Sequence, residues 1–175
     1  MNRKAKSLIT FLLIVCSIAK GQTSQPETSG VVILDTKSTL VEQLKQFEGR
    51  LVYLDAWSTW CSPCIREFAH VRELRYFFHE NDIVKLYLCI DRASNRERWK
   101  GMLQEHSPEG YHVFIDPGAL DDYKQGFGLR RSNLRHFGKG FPWYIIIGKN
   151  GEVLVERAFR PSSKHVLLEQ FEKHL

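Results

Sequence analysis

Cysteine is scarce in this chain, and proline and glycine are not enriched. The 175 residues include four Cys, six Pro and 12 Gly. Four cysteines are too few to build a disulfide framework for a domain of this size, so each has to be judged by its own position. The hydrophobic fraction of 43% and the charged fraction of 26% are those of an ordinary globular protein and exclude intrinsic disorder and collagen-like repeats. The length suits one domain with a substantial hydrophobic core.

An excess of positive charge is absent outside the first residues. The formal net charge is +5, but Arg3, Lys4, Lys6 and Lys20 all precede residue 22, and no acidic residue does. Removing those four from the 25 basic residues leaves 21 against 20 acidic ones. Because the rest of the chain is nearly neutral, the sequence gives no support for nucleic acid binding.

The apolar stretch near the start is too short to cross a membrane. Leu8–Ala19 is largely apolar, whereas a spanning helix needs about 20 apolar residues. Basic residues precede this stretch, and the small residues of Ala19-Lys20-Gly21 follow it, at the −3 and −1 positions of a cleavage site. The pattern predicts a signal peptide over residues 1–21 and an exported protein, located in the periplasm or elsewhere outside the cytoplasm.

Cys16 leaves one alternative open for this segment. Cleavage just before a cysteine, followed by lipid attachment, would anchor the chain to a membrane through Cys16. That cleavage normally requires a small residue in the preceding position, which is occupied by Val15. Otherwise Cys16 is removed with the signal peptide.

The remaining chain has the pattern of one α/β domain. Residues 22–30 are polar and predict a flexible linker, and residues 31–175 alternate between strand and helix signals. The Asn-Gly step in the turn after the fifth strand favours a β-hairpin. The order of elements predicts a mixed β-sheet flanked by helices on both faces. The strands are expected at Val31–Leu34, Leu51–Trp57, Ile83–Ile90, Tyr111–Ile115, Trp143–Ile147 and Glu152–Glu156, with the main helices at Thr39–Phe47, Pro63–Glu80, Ser94–His106 and from Ser162 or Ser163 onward.

Two cysteines, Cys61 and Cys64, lie where a strand signal gives way to a helix signal. Spaced three residues apart in a first helical turn, their side chains can approach within disulfide distance. The free N–H groups and dipole of a helix N-terminus stabilise a thiolate, and thiol pKa values in such motifs fall from about 8.5 towards roughly 3.5–7.5. Cys61 is therefore the expected nucleophile, and Cys64 the thiol that resolves its mixed disulfides.

Two other interpretations of the cysteine pair are less favoured. A zinc site needs two further ligands, and the remaining cysteine of the domain, Cys89, lies alone in an apolar strand without a paired His motif. A static structural disulfide is possible, although a bridge closing so small a loop removes little chain entropy. Redox chemistry is favoured over both, and no metal is expected.

The segment from Asp55 to Cys64 (DAWSTWCSPC) resembles the active-site segment of the thioredoxins. Together with the expected signal peptide, it most resembles the exported thiol–disulfide oxidoreductases of the TlpA/ResA-like group. The order of elements over residues 31–175 is similar to the thioredoxin-like fold. The resemblance implies a redox-active Cys61–Cys64 disulfide and no cofactor, and no nucleotide or flavin motif occurs.

The resemblance also implies roles for single residues. Asp55 takes the position of the buried acid behind the resolving cysteine, where a raised pKa suits proton exchange with Cys64. Trp60 matches the tryptophan that shields the nucleophile. Pro142 matches the cis-proline that faces the CxxC pair and exposes the backbone of Phe141 to a substrate strand.

Three features depart from the family pattern. Trp143 follows the proline where threonine is usual, and Arg130–Gly140, a basic stretch, is longer than the usual connection. The lysine that partners the buried acid in thioredoxins has no certain counterpart, because Lys85 is two residues out of register. These departures leave the family resemblance intact but do not allow substrate preference to be transferred.

The functional expectation is an exported enzyme that exchanges thiols and disulfides with protein substrates. The Ser62-Pro63 dipeptide resembles that of reducing members of the family, so a reductase supplied with electrons by another protein is favoured. A disulfide oxidase or isomerase, a peroxiredoxin-like peroxidase and a non-catalytic binding module remain as alternatives. The substrate, the electron donor and the oligomeric state are not encoded in any motif.

Overall fold

The computed structural model describes residues 30–106 and 108–175. The expected signal peptide over residues 1–21, Cys16 and most of the expected linker lie outside these residues. Within the two described ranges, no helix is both long enough and apolar enough to span a bilayer.

One six-stranded sheet organises the domain, in the order β1-β4-β3-β2-β5-β6. The first four strands in this order run parallel to one another, whereas β5 is antiparallel to β2 and β6 is antiparallel to β5. The sheet is therefore mixed, as the sequence predicts. Its strands are β1 (Val31–Ile33), β2 (Val52–Trp57), β3 (Val84–Ile90), β4 (Gly110–Ile115), β5 (Trp143–Ile147) and β6 (Val153–Val155).

Seven α-helices accompany the strands within the described residues. They are α1 (Leu40–Leu44), α2 (Ser62–Glu73), α3 (Arg75–Glu80), α4 (Arg96–His106), α5 (Leu120–Tyr123), α6 (Arg131–His136) and α7 (Lys164–Glu172). Short 3-10 turns cover Lys45–Phe47, Ala93–Asn95, Pro117–Ala119 and Pro161–Ser163. Helix α1 begins with a capping box, in which the Thr39 side chain accepts from the Glu42 N–H and the Glu42 carboxylate accepts from the Thr39 N–H.

Strand β2 is buried along its whole length and separates the two sides of the core. Successive residues of a strand point to opposite faces. Leu54 and Ala56 pack with α1 and α5 on one face, and Tyr53 packs with α2, α3 and α7 on the other. Trp57 belongs to a third buried cluster, which includes both Cys61 and Cys64. Helices on both faces were expected from the sequence and are confirmed.

One expectation about the helices was wrong. The single helix expected over Pro63–Glu80 is divided into α2 and α3 at Leu74, whose φ of −93° and ψ of 4° leave the helical region. Apolar periodicity continues through this break because Leu74 is itself buried in the core. The basic stretch Arg130–Gly140, which is longer than the usual connection, contains α6.

The expected hairpin between β5 and β6 is confirmed. The Gly148 N–H donates to the Glu152 carbonyl at 2.8 Å, which closes the turn. Gly151 has a φ of +81°, a conformation that favours glycine and that the Asn150-Gly151 step supplies.

The buried His112 of β4 makes acid stability testable. Its ring stacks on Tyr87 with centroids 4.6 Å apart, and its Nε2 lies 2.7 Å from the Pro108 carbonyl. Burial lowers the pKa of His112 to about 4. As pH falls below about 6.5 the unfolded chain is protonated first, so stability decreases until the folded pKa is passed. We expect this histidine to lower the free energy of unfolding by about 2 kcal/mol between pH 7 and pH 5.

Urea denaturation of the wild type and His112→Phe at both pH values measures this contribution. Phenylalanine keeps an aromatic ring against Tyr87 but cannot be protonated. The variant should therefore lose less stability than the wild type between pH 7 and pH 5. An equal loss in both proteins would contradict the assignment to His112.

Candidate active site

The two cysteines of the motif form a disulfide at the start of α2. Cys61 is the N-cap residue, its Cα lies 5.3 Å from that of Cys64, and its Sγ accepts from the Cys64 N–H at 3.3 Å. Pro63 occupies an early helical position, where its missing N–H costs no helical hydrogen bond. Cys61 retains 3% of its exposure and Cys64 none, so Cys61 is the outer sulfur of the pair.

A buried carboxylate, Asp91, holds the loop between β2 and α2. Asp91 accepts hydrogen bonds from the Ser58 hydroxyl at 3.0 Å and from the Thr59 N–H and hydroxyl at 3.2 and 2.5 Å. It also accepts from the Arg92 N–H and the Asn95 amide. Burial alone would raise the pKa of Asp91, but these hydrogen bonds together lower it.

These hydrogen bonds hold the loop that leads from β2 to Cys61 in one position. The carbonyl of Ser58, the residue that begins this loop, accepts from the Cys61 N–H at 2.9 Å. Sequence analysis did not identify Asp91. Its position directly after β3, at the carboxyl edge of a parallel pair of strands, is the signal that could have indicated it.

Asp55 is buried in β2, six residues before Cys61, with 1% exposure. Neither carboxylate oxygen has a hydrogen-bond partner in the part of the chain that the structure describes. Burial raises the pKa of Asp55 well above its usual range, and the negative charge of Glu67 raises it further. A raised pKa makes the ionised carboxylate of Asp55 a stronger base, which suits proton exchange with Cys64.

Tyrosines, not a lysine, flank Asp55 on the neighbouring strands. Tyr87 of β3 and Tyr144 of β5 stand opposite it in the sheet register. Lys85 lies opposite Tyr53 and forms an ion pair with Glu109 at 3.4 Å, on the surface side. The register thus explains why Lys85 does not take the place of the thioredoxin lysine.

Glu67 is a further buried carboxylate that sequence analysis missed. It lies three residues after Cys64 on α2, with 5% exposure. Its two oxygens accept from the Ser162 N–H and hydroxyl, both at 2.8 Å. The spacing of three places it on the helix face of Cys64, which was the available signal. Glu67 therefore connects the cysteine helix to the segment before α7.

An apolar cleft of about 460 Å³ opens beside the disulfide. Trp60, 60% exposed, and Phe141 form one wall, with ring centroids 5.6 Å apart, and Phe141 also packs against the cluster of the two cysteines. Asp91, Arg92 and Asn95 line the polar end. The Phe141–Pro142 bond is cis, as the resemblance implies. Trp60, Phe141 and the cysteine pair thus come together; substrate binding by Trp60, Phe141 and Pro142 stays a prediction.

The arrangement is suited to dithiol–disulfide exchange. It combines a closed disulfide, an outer and an inner sulfur, and a buried carboxyl whose pKa is raised. The third thiol, Cys89 of β3, is fully buried, and burial raises its pKa, so it is not a second nucleophile. Over residues 30–106 and 108–175, no three His, Cys, Asp or Glu side chains form a group that could hold a metal ion.

Comparison with known proteins identifies the family. The Redoxin family model matches residues 20–166. A Bacillus cereus protein named thiol–disulfide oxidoreductase ResA is 32% identical over 143 residues, which cover 81% of this chain and 72% of the relative. Two further Bacillus proteins of the same name, each 34% identical, are matched over only 38% of their own length.

Solved structures agree with the fold. The thioredoxin domain of a thiol–disulfide oxidoreductase from Bacteroides vulgatus superposes with a TM-score of 0.56 at 22% identity, covering 74% of this chain and 82% of that one. A Chlorobium tepidum structure assigned as thiol:disulfide interchange protein DsbE has a TM-score of 0.58 at 25% identity, covering 75% and 84%. The chain therefore belongs to the redoxin family, with a thioredoxin-like fold and a CxxC disulfide.

Proposed function

We propose that this chain is an exported thiol–disulfide oxidoreductase that reduces disulfides in protein substrates. The observation that carries the proposal is the Cys61–Cys64 disulfide at the start of α2, next to an open cleft lined by Trp60 and Phe141. The names of the Bacillus relatives support the same activity. The signal peptide expected over residues 1–21 supports export, and outside the cytoplasm such a pair can be oxidised, reduced or cycling.

The reaction begins from the reduced form of the pair. The Cys61 thiolate attacks one sulfur of the substrate disulfide, and the other substrate sulfur leaves as a thiolate that takes up a proton. The Cys64 thiol then loses its proton and attacks the Cys61 sulfur of the mixed disulfide. The second substrate thiol is released and the Cys61–Cys64 disulfide forms, so two electrons have passed from the chain to the substrate.

Asp55 supplies the base for the second step. The Cys64 sulfur is fully buried, so water cannot readily accept its proton. In its ionised form, a carboxylate whose pKa is raised by burial is a stronger base and can accept that proton. Asp91 acts differently, since it positions the Ser58–Thr59 loop and does not touch the sulfurs.

The cycle requires an electron donor, which we propose to be another protein with a reactive thiol pair. The direction of reduction rests on the Ser62-Pro63 dipeptide and is measurable as a reduction potential. Reducing members of the fold lie near −270 mV and strong oxidants near −120 mV, whereas structural bridges lie below about −300 mV. We expect a value closer to the reducing end, and a value near −120 mV would indicate an oxidase instead.

A trapping experiment tests the function as a whole. In Cys64→Ser the resolving thiol is missing, so Cys61 should remain linked to the substrate as a mixed disulfide. The protein is incubated with a disulfide-containing protein such as insulin, and the adducts are separated without reductant. Cys61→Ser is the matched control and should give none. The proposal would be refuted if neither variant formed adducts and the wild type did not reduce insulin.

The two thiols of the reduced protein should differ in reactivity. Cys61 caps α2 and is the outer sulfur, whereas Cys64 is completely buried. Iodoacetamide at neutral pH should therefore label Cys61 first, and peptide mapping by mass spectrometry measures the order. Preferential labelling of Cys64 would reverse the two roles in the mechanism.

Replacing Asp55 by Asn should slow resolution of the mixed disulfide at pH 7 by at least about tenfold, because the proton acceptor is lost. Stopped-flow kinetics with a peptide disulfide separates attack by Cys61 from resolution by Cys64. Asp122→Asn, a change at an exposed acid of α5, is the matched control and should leave both steps unchanged. Equal slowing of both steps would point to a structural role for Asp55.

The same variant should be more stable than the wild type. Because the folded pKa of Asp55 is raised, ionisation favours the unfolded chain as pH increases above about 3.9, until the folded pKa is passed. The increase in the free energy of unfolding caused by Asp55→Asn should therefore be larger at pH 8 than at pH 5. At pH 8 it should reach about 1–3 kcal/mol. Urea denaturation at the two pH values measures it, and a gain independent of pH would show that the buried charge is not the cause.

A further inference from the structure

A second cleft adjoins the apolar cleft at the cis peptide. It has a volume of about 300 Å³ and is lined by Pro142, Trp143, Arg157, Phe159, Arg160 and Ser163. We call it the arginine cleft. Phe141 lines the apolar cleft and Pro142 lines the arginine cleft, so the two are adjacent along the chain. A substrate strand paired with the Phe141 backbone would pass this peptide, where both clefts have lining residues.

Arg157 is held in the arginine cleft by an aromatic ring and not by an acid. Its guanidinium carbon lies 3.7 Å from the centroid of Trp143, which is buried and donates its indole N–H to the Glu156 carbonyl at 2.7 Å. No carboxylate within the described residues lies in ion-pair distance of Arg157. The Glu156 carboxylate is instead bound by Arg130 and Asn133. The planar donors of Arg157 thus remain available to an incoming anion.

The positive charge of Arg160 is only weakly neutralised by a nearby carboxylate. Its nearest carboxylate is that of Glu67, 3.9 Å from Nη1, and the Arg160 side chain keeps 52% of its exposure. Both Glu67 oxygens already accept hydrogen bonds from Ser162. Two guanidinium groups therefore line one small cleft, and the carboxylates near them are already engaged.

The wall that carries these arginines is fixed by hydrogen bonds. The Ala158 N–H donates to the Tyr144 carbonyl at 2.9 Å, and the Phe159 carbonyl accepts from the Tyr53 hydroxyl at 2.7 Å. The Phe159 N–H donates to the Gln170 side chain at 3.0 Å. A fixed wall lowers the entropy that is lost when a ligand binds.

We propose that the arginine cleft binds an acidic side chain of the protein segment whose cysteine reacts at Cys61. Charge complementarity identifies the occupant, because a carboxylate matches the planar donors of Arg157 and Arg160. Phe159, an aromatic side chain with 46% exposure, contacts the aliphatic part of that residue or an apolar neighbour. The inference rests on the proposed function for the reacting cysteine, but recognition of the acid is independent of the redox step.

Binding of non-reactive peptides tests the cleft itself. Fluorescein-labelled extended peptides carry a central Ser in place of Cys, flanked on both sides by either Glu or its neutral isostere Gln. Anisotropy titration of the oxidised wild type should give about fivefold tighter binding of the Glu peptide at low salt, as expected for exposed charge pairs. The difference should shrink as ionic strength increases.

Variants of single arginines and of the pair test whether the preference for the Glu peptide arises in the arginine cleft. The double variant Arg157→Gln/Arg160→Gln should bring the two peptides to within about twofold of each other. Arg98→Gln removes one positive charge from an exposed site on α4 that lines neither cleft, and it should leave the preference unchanged. Arg157→Lys retains the charge but not the planar fork and should retain part of the preference. Circular dichroism of each variant checks that the fold is intact.

The outcomes separate the cleft from the catalytic proposal. Equal binding of the two peptides by the wild type, or a preference that survives the double variant or disappears in Arg98→Gln, overturns the arginine cleft. The corresponding Cys peptides, supplied as disulfides, then test turnover. Failure to reduce any of them, with the Glu preference intact, would refute the proposed reductase and leave the cleft supported as a binding site.

Discussion

The antiparallel pairing of β5 with β2 is the constraint on which the site depends. Ala56, near the end of β2, stands opposite Trp143, at the start of β5. Because the two strands run in opposite directions, the chain leaves β2 towards Cys61 at the same edge where it enters β5 through Pro142. A parallel arrangement of these strands would place the cysteines and the proline at opposite ends of the sheet. Both clefts have lining residues at this end of the sheet, Phe141 in one and Pro142 in the other.

The centre of the sheet carries polar groups that the core does not satisfy. The Asp55 carboxylate and the hydroxyls of Tyr87 and Tyr144 are buried without hydrogen-bond partners among the residues described. Unpaired buried polar groups reduce stability, and they lie on three adjacent strands at the centre of the sheet. The domain thus retains an unfavourable group of polar atoms where the proposed chemistry needs a carboxyl that can change its protonation state.

The sequence predicted those features whose signals are local. Alternating strands and helices, the Asn-Gly hairpin and the cysteine pair at a strand–helix junction each depend on a few neighbouring residues. The break at Leu74 was not predictable from periodicity, because a buried leucine continues the apolar pattern through it. Asp91, Glu67 and Arg157 each depend on at least one contact with a residue 14 or more positions away, as when Trp143 supports Arg157. Such roles depend on the folded arrangement and leave little trace in local spacing.

The exposure of Trp60 gives the molecule an optical property. The chain has four tryptophans, and three of them, Trp57, Trp99 and Trp143, are at most 2% exposed. Trp60 alone is largely in water, beside the disulfide and in contact with Phe141. An aqueous quencher of fluorescence therefore reaches this one indole before the others. A molecule bound in the apolar cleft would cover part of Trp60 and reduce the access of such a quencher to it.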